Sequence, residues 1–83
     1  MPLFMDTHDL HGPVSAEEVA KAHAADLATQ GEFDVRYEHY WVDEAQGRIF
    51  CLVEAPSAEA AATVHRKAHG LVADEIVQVT AGE

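Results

Sequence analysis

Polar and apolar positions switch between strand-like and helix-like spacing along the chain. Residues 3–8 alternate: Leu3, Met5 and Thr7 fall on one side, Phe4, Asp6 and His8 on the other, the two-residue period of a strand. Gly12-Pro13 then signals a turn. Ser15 followed by Glu18 fits a capping box, in which each side chain satisfies an end amide of a helix. The spacing of Ala16, Val19, Ala20, His23 and Leu27 predicts a helix to about Gln30, with Gly31 as its C-cap. Residues 35–43 are rich in Val, Tyr and Trp and predict a second strand. Residues 44–47 read as a hairpin loop, and 48–54 as a third strand that Pro56 stops. Ser57 caps a second helix through His69, with Ala61, Val64 and Ala68 on its apolar stripe and Gly70 at its end. Residues 74–80 predict the last strand.

The order β-α-β-β-α-β is the split arrangement of an α+β, ferredoxin-like fold. It implies a four-stranded antiparallel sheet with both helices on one face, and a single domain spanning 1–83. The other sheet face needs cover, because an apolar sheet surface is unfavourable in water. Phe50, Leu52 and Ile76 are expected there. A chain this short has a thin core. Two such faces packed together would make a homodimer.

Charge narrows the partners. Fifteen acidic against five basic residues give a net charge of −10. A phosphate backbone is bound by Lys and Arg displacing counterions, so nucleic acid and anionic membrane are excluded as partners, and a cation is the natural ligand of such a field. The single cysteine, Cys51, permits no internal disulfide and suits a reducing compartment. The first residues have no basic region and no long apolar run, and nothing approaches the roughly 20 apolar residues of a membrane span. A cytoplasmic location is the expectation.

Six histidines then stand out: His8, His11, His23, His39, His65 and His69. In the expected topology the end of the first strand, the end of the second helix and the start of the last strand meet at one edge of the sheet. That edge gathers His8, Asp9, His11, His65, His69, Asp74 and Glu75, with His39 approaching the same level. Neutral imidazole with carboxylate is a ligand set for Zn, Ni, Cu or Fe(II). His65 and His69, four residues apart, project from one helix face. Arg66 stands where a zinc peptidase carries glutamate, which excludes that chemistry. Asp6, His8, His11, His39, His65, His69 and Asp74 are the candidate metal ligands.

Several of these positions have a plainer alternative. His69 suits the negative end of a helix dipole. His65 borders an apolar stripe as a half-buried packing group, and His23 reads as a hydrogen-bonded core histidine. Tyr37, Tyr40 and Trp41 read as strand packing, and Cys51 as an inert buried thiol. No nucleophile triad, phosphate loop or dinucleotide fingerprint is present.

Five segments carry a resemblance: Phe-Met-Asp-Thr-His at 4–8, Ala-His-Ala-Ala-Asp-Leu at 22–27, Tyr-Trp-Val-Asp at 40–43, and residues 47–56 and 64–76. Together they resemble a family of small bacterial-type proteins with a branch described as nickel-binding or nickel-responsive. The resemblance covers nearly the whole chain. It implies a ferredoxin-like homodimer that binds Ni(II) through histidine and acidic side chains. His8, His23, His65 and His69 match the family pattern, whereas His11 and His39 fall outside it.

The leading expectation is therefore a protein that binds a divalent transition metal, nickel first and zinc or copper otherwise, for buffering or sensing rather than turnover. The alternative is a small dimeric α+β barrel enzyme of oxygenase or isomerase type, with Asp6, His8 and His23 as acid and base. A third reading is an interaction module whose histidines are structural.

Overall fold

The computed structural model describes residues 1–82. Its elements are β1 (Leu3–Asp9), α1 (Ala16–Thr29), a 3-10 turn (Gln30–Phe33), β2 (Arg36–Asp43), β3 (Arg48–Glu54), α2 (Ala58–Ala68) and β4 (Glu75–Val79). The strands form an antiparallel sheet in the order β2-β3-β1-β4, the ferredoxin-like βαββαβ fold. Both helices start at serine caps: Ser15 Oγ accepts from the Glu18 amide and Ser57 Oγ from the Ala60 amide, each at 3.1 Å.

Two boundaries depart from the expected ones. The first helix does not stop at Gly31 but tightens into the 3-10 turn, and Asp34 takes the left-handed conformation with φ 58°. The extra turn carries Phe33 onto the core, where Lys67 lies over its ring at 5.5 Å. The second helix ends one residue short of His69, and Gly70 turns the chain at φ 82° with its amide on the His65 carbonyl.

In β1, Phe4, Asp6 and His8 point at the helices. They are paired with Val53, Cys51 and Ile49 of β3, which face the same way. Ile76 pairs with Asp6 and so lies on the helix side, not on the open face as expected. Val77, opposite Met5, takes its place there. The open face carries Leu3, Met5, Phe50, Leu52, Val77 and, from β2, Trp41.

A bulge at Glu38 reshapes β2. Tyr37 pairs with Val53 and His39 with Leu52, so two residues of β2 advance against one of β3. Tyr37 and Tyr40, three apart, would face opposite ways in a regular strand. The bulge turns both toward the helices, and sends His39 and Trp41 to the open face.

Helix α1 is rotated from its predicted stripe. Val19 and Asp26 are buried, whereas Leu27 is 47% exposed. A helix that hides its aspartate and exposes its leucine breaks the ordinary pattern, which is typical of a functional position.

Candidate metal centre

The apolar core is small, and four polar residues are buried beside it: Asp6, His8, Asp26 and His65. They belong to one connected group between sheet and helices. β1 supplies Asp6 and His8, α1 supplies Asp26, and α2 supplies His65. Tyr37, aimed inward by the bulge, joins from β2.

His65 is the hub. Its Nδ1 lies 2.9 Å from Asp26 Oδ1 and its Nε2 3.0 Å from Asp6 Oδ2. Burial pulls its pKa down, but the hydrogen bonds to Asp26 and Asp6 and their charges outweigh burial and raise it to about 9. The ring is therefore a cation at neutral pH, donating from both nitrogens. Burial pushes the Asp6 carboxyl up, yet the contacts with His65, His8 and Tyr37 hold it well below the usual carboxylate range. The Tyr37 hydroxyl donates to Asp6 Oδ2 at 2.8 Å. Burial, and then the Asp6 charge, push this phenol far above its ordinary value, so it stays protonated.

His69 completes the helix side. Its Nε2 is 3.1 Å from Asp26 Oδ1, and its Nδ1 accepts the Leu71 amide at 3.1 Å. The accepting nitrogen fixes the neutral tautomer with the proton on Nε2. His23 stacks on Tyr40 with centroids 4.6 Å apart. Burial lowers its pKa against the pull of the Asp26 charge, which keeps the ring neutral at neutral pH.

Two atoms of this group are left over. Asp6 Oδ1 and His8 Nδ1 are buried with no hydrogen-bond partner. His8 Nε2 lies 3.4 Å from Asp6 Oδ1. Buried polar atoms in native proteins nearly always have partners, so such orphans point to an absent ligand. Two donor sets surround the place where one could sit. Asp26, His65 and His69 form one; Asp6, His8, Cys51 and His65 form the other. In each, one ligand atom per residue lies within 4.8 Å of all the rest. A cavity of about 20 Å³, room for about one water, is lined by His8, His23, Asp26, Cys51, His65 and His69 among others. The residues present thus fit a bound metal ion.

The remaining expected ligands stand apart. His11 is exposed, in a left-handed turn, with its amide on Asp9 Oδ1. His39 lies on the open face beside Trp41. Asp74 Oδ2 accepts the Asp9 amide at 2.7 Å, tying the start of β4 to the end of β1. Asp26, Tyr37 and Cys51 were not among the expected ligands. Asp26 could have been found: it sits seven residues after Val19 and three after His23, on the inward stripe of α1.

Fold and cluster together define a small ferredoxin-like protein with a buried histidine, carboxylate and thiol centre suited to a metal. The family whose description is nickel responsive protein SCO4226-like matches residues 4–79, and the chain belongs to it. The crystal structure of SCO4226 from Streptomyces coelicolor A3(2) superposes with a TM-score of 0.91 at 42% sequence identity, covering 98% of this chain and 99% of that one. Among curated proteins, none matches.

Proposed function

We propose that the protein binds a divalent transition metal, Ni(II) first, through Asp26, His65 and His69, and that it buffers or senses the ion rather than turning over a substrate. The observation that carries this reading is the cavity walled by these side chains, which has room for an ion and not for an organic substrate. The nickel-responsive description of the family supports the choice of metal. Imidazole nitrogen and carboxylate oxygen are ligands that Ni(II) accepts, with water in its remaining positions. Asp26 Oδ1 is already 2.9 Å from His65 Nδ1 and 3.1 Å from His69 Nε2. With metal–nitrogen bonds of about 2.1 Å, adjacent corners of an octahedron lie about 3 Å apart, so little movement is needed. With Nδ1 on the metal, the other ring nitrogen of His65 keeps its proton and donates to Asp6, the outer carboxylate that orients a ligating histidine.

Binding at His69 Nε2 moves the ring proton to Nδ1. The Leu71 amide then loses its acceptor and must turn away. Residues 70–72, exposed and next to the site, are the part of the chain that would report the ion.

Calorimetric titration of metal-free protein with Ni(II) tests the reading. Micromolar or tighter binding is expected in the wild type. His69→Ala and Asp26→Asn should each weaken it by about 100-fold or more, beyond the cost of losing an outer-shell partner. No binding in the wild type would overturn the proposal.

The open sheet face supports a homodimer. Trp41 and Val77 are 51% and 44% exposed and adjoin Met5, Phe50 and Leu52. An apolar patch of this kind marks an interaction surface. Light scattering during size-exclusion chromatography should give twice the chain mass for the wild type and the chain mass for Leu52→Glu. A monomeric wild type would rule the dimer out.

A further inference from the structure

The sheet-side donor set differs in chemistry from the helix-side one. It contains Cys51, it is fully buried, and it holds the orphaned Asp6 Oδ1. A free cysteine in an apolar core is ordinarily inert. Here its sulfur lies within 4.8 Å of ligand atoms of a carboxylate and two imidazoles, and it lines the same ion-sized cavity. Four donors of type O, N, N and S with no access for several waters describe a four-coordinate site, whereas three donors of type O, N and N beside the half-buried His69 leave room for water. The 3.4 Å between Asp6 Oδ1 and His8 Nε2 is long for a hydrogen bond and close to the edge of a tetrahedron around an ion with bonds of about 2.1 Å.

We propose that Asp6, His8, Cys51 and His65 form a second cation site, selective for thiophilic ions such as Zn(II), Cd(II) or Cu(I), and that it excludes the helix-side site because the two share the His65 ring. The exclusion rests on the nickel reading above; the sheet-side site does not. A neutral imidazole has one lone pair. With an ion on Nδ1, the Nε2 proton goes to Asp6. With an ion on Nε2, the Nδ1 proton goes to Asp26. Each aspartate is thus a ligand for one ion and the outer-shell acceptor for the other. Serving both at once requires an imidazolate, and the cavity has room for about one ion. The choice between hard and soft ions then rests on which face of one ring is used.

The binding step is balanced by protons. A divalent ion taking Cys51 Sγ and His65 Nε2 displaces the thiol proton and the Nε2 proton of the imidazolium, and both leave to solvent. Burial and the Asp6 charge hold the free thiol protonated. The charge of the ion reverses that preference, since a coordinated thiol is deprotonated outright.

Cd(II) is the probe, because its thiolate complexes absorb in the near ultraviolet. Metal-free protein titrated with Cd(II) should show a thiolate charge-transfer band that saturates at one ion per chain. In Cys51→Ser the band should vanish and the ratio of Cd(II) to Ni(II) affinity should fall by about 100-fold or more. Cys51→Ala, which leaves no buried hydroxyl to satisfy, serves if the serine variant does not fold. Cd(II) added to nickel-loaded protein should release one Ni(II) per Cd(II) taken up. A band without any Ni(II) binding would sink the nickel reading and leave the sheet-side site standing. Cd(II) binding with no thiolate band would overturn the sheet-side site, and two ions per chain would overturn the exclusion.

Discussion

Replacing Asp6 by alanine lowers the stability of the metal-free protein by about 3–5 kcal/mol in urea unfolding. The carboxylate is 0% exposed and serves His65, Tyr37 and His8 together. Its loss does not hurt all three equally. The Tyr37 hydroxyl has the Ala61 carbonyl 3.1 Å away as a second acceptor. His65 has none for Nε2, so a buried imidazolium is left with one carboxylate and an unpaired donor. Breaking a buried ion pair from one side is the costly case, because the remaining charge stays desolvated. A domain of this length has roughly 4–12 kcal/mol in total, so the variant sits close to unfolding at room temperature. Two companions separate charge from shape. Asp6→Asn retains an acceptor oxygen and should lose less than alanine. Asp6→Leu with His65→Leu removes both charges and should lose less than the two single changes added together. A loss below about 1 kcal/mol in Asp6→Ala would mean that His65 is neutral and the network is held by ordinary hydrogen bonds.

The second large effect is alkaline destabilisation. The folded-state pKa of His65 lies above its unfolded value, about 9 against 6.5. Its contribution is fully present below pH 6.5 and is lost as pH rises through about 9. That interval corresponds to about 3 kcal/mol, as an order of magnitude. Asp6 has the opposite sign. Its depressed value gives stability above the ordinary carboxylate range that fades only in acid, so it adds no slope between neutrality and pH 9. Urea midpoints of the metal-free protein should fall steadily over that window, and the slope should disappear in His65→Gln. A wild-type profile flat from pH 6.5 to 9 would show that the ring does not carry a proton in the folded state.

The fold was legible because local signals agreed with one another. Alternation in 3–8, the apolar run of 49–53, the serines at 15 and 57, and Gly70 each pointed to the element that forms. The candidate centre was legible in part. Asp6, His8, His65 and His69 come together because the last turn of α2 packs over the inward face of β1. What stayed hidden was rotation and register. Hydrophobicity favours Leu27 over Asp26 for the inside of α1, but helix orientation is set by what packs against it, and Asp26 has His65 and His69 to meet. In β2 simple alternation puts Tyr37, His39 and Trp41 on one side. The bulge at Glu38 separates Tyr37 from the other two, and a single inserted residue leaves no compositional mark. Cys51 reads as a core thiol in any one-dimensional view, because its neighbours in sequence are apolar, whereas its neighbours in space include Asp6, His8 and His65.

The placement of β1 between β3 and β4 has a consequence for biosynthesis. Asp6 is paired to Cys51 on one side and Ile76 on the other. At about 5–20 residues per second, a ribosome makes Ile76 roughly 4–14 seconds after Asp6. Until β3 and α2 have been made, Asp6 and His8 have neither Cys51 nor His65 to meet. The sheet is completed only when the last strand reaches the first. The donors of both candidate sites come together only once α2, which supplies His65, has been made, so an ion held by them is taken up late in folding rather than by the first strand and helix as they emerge.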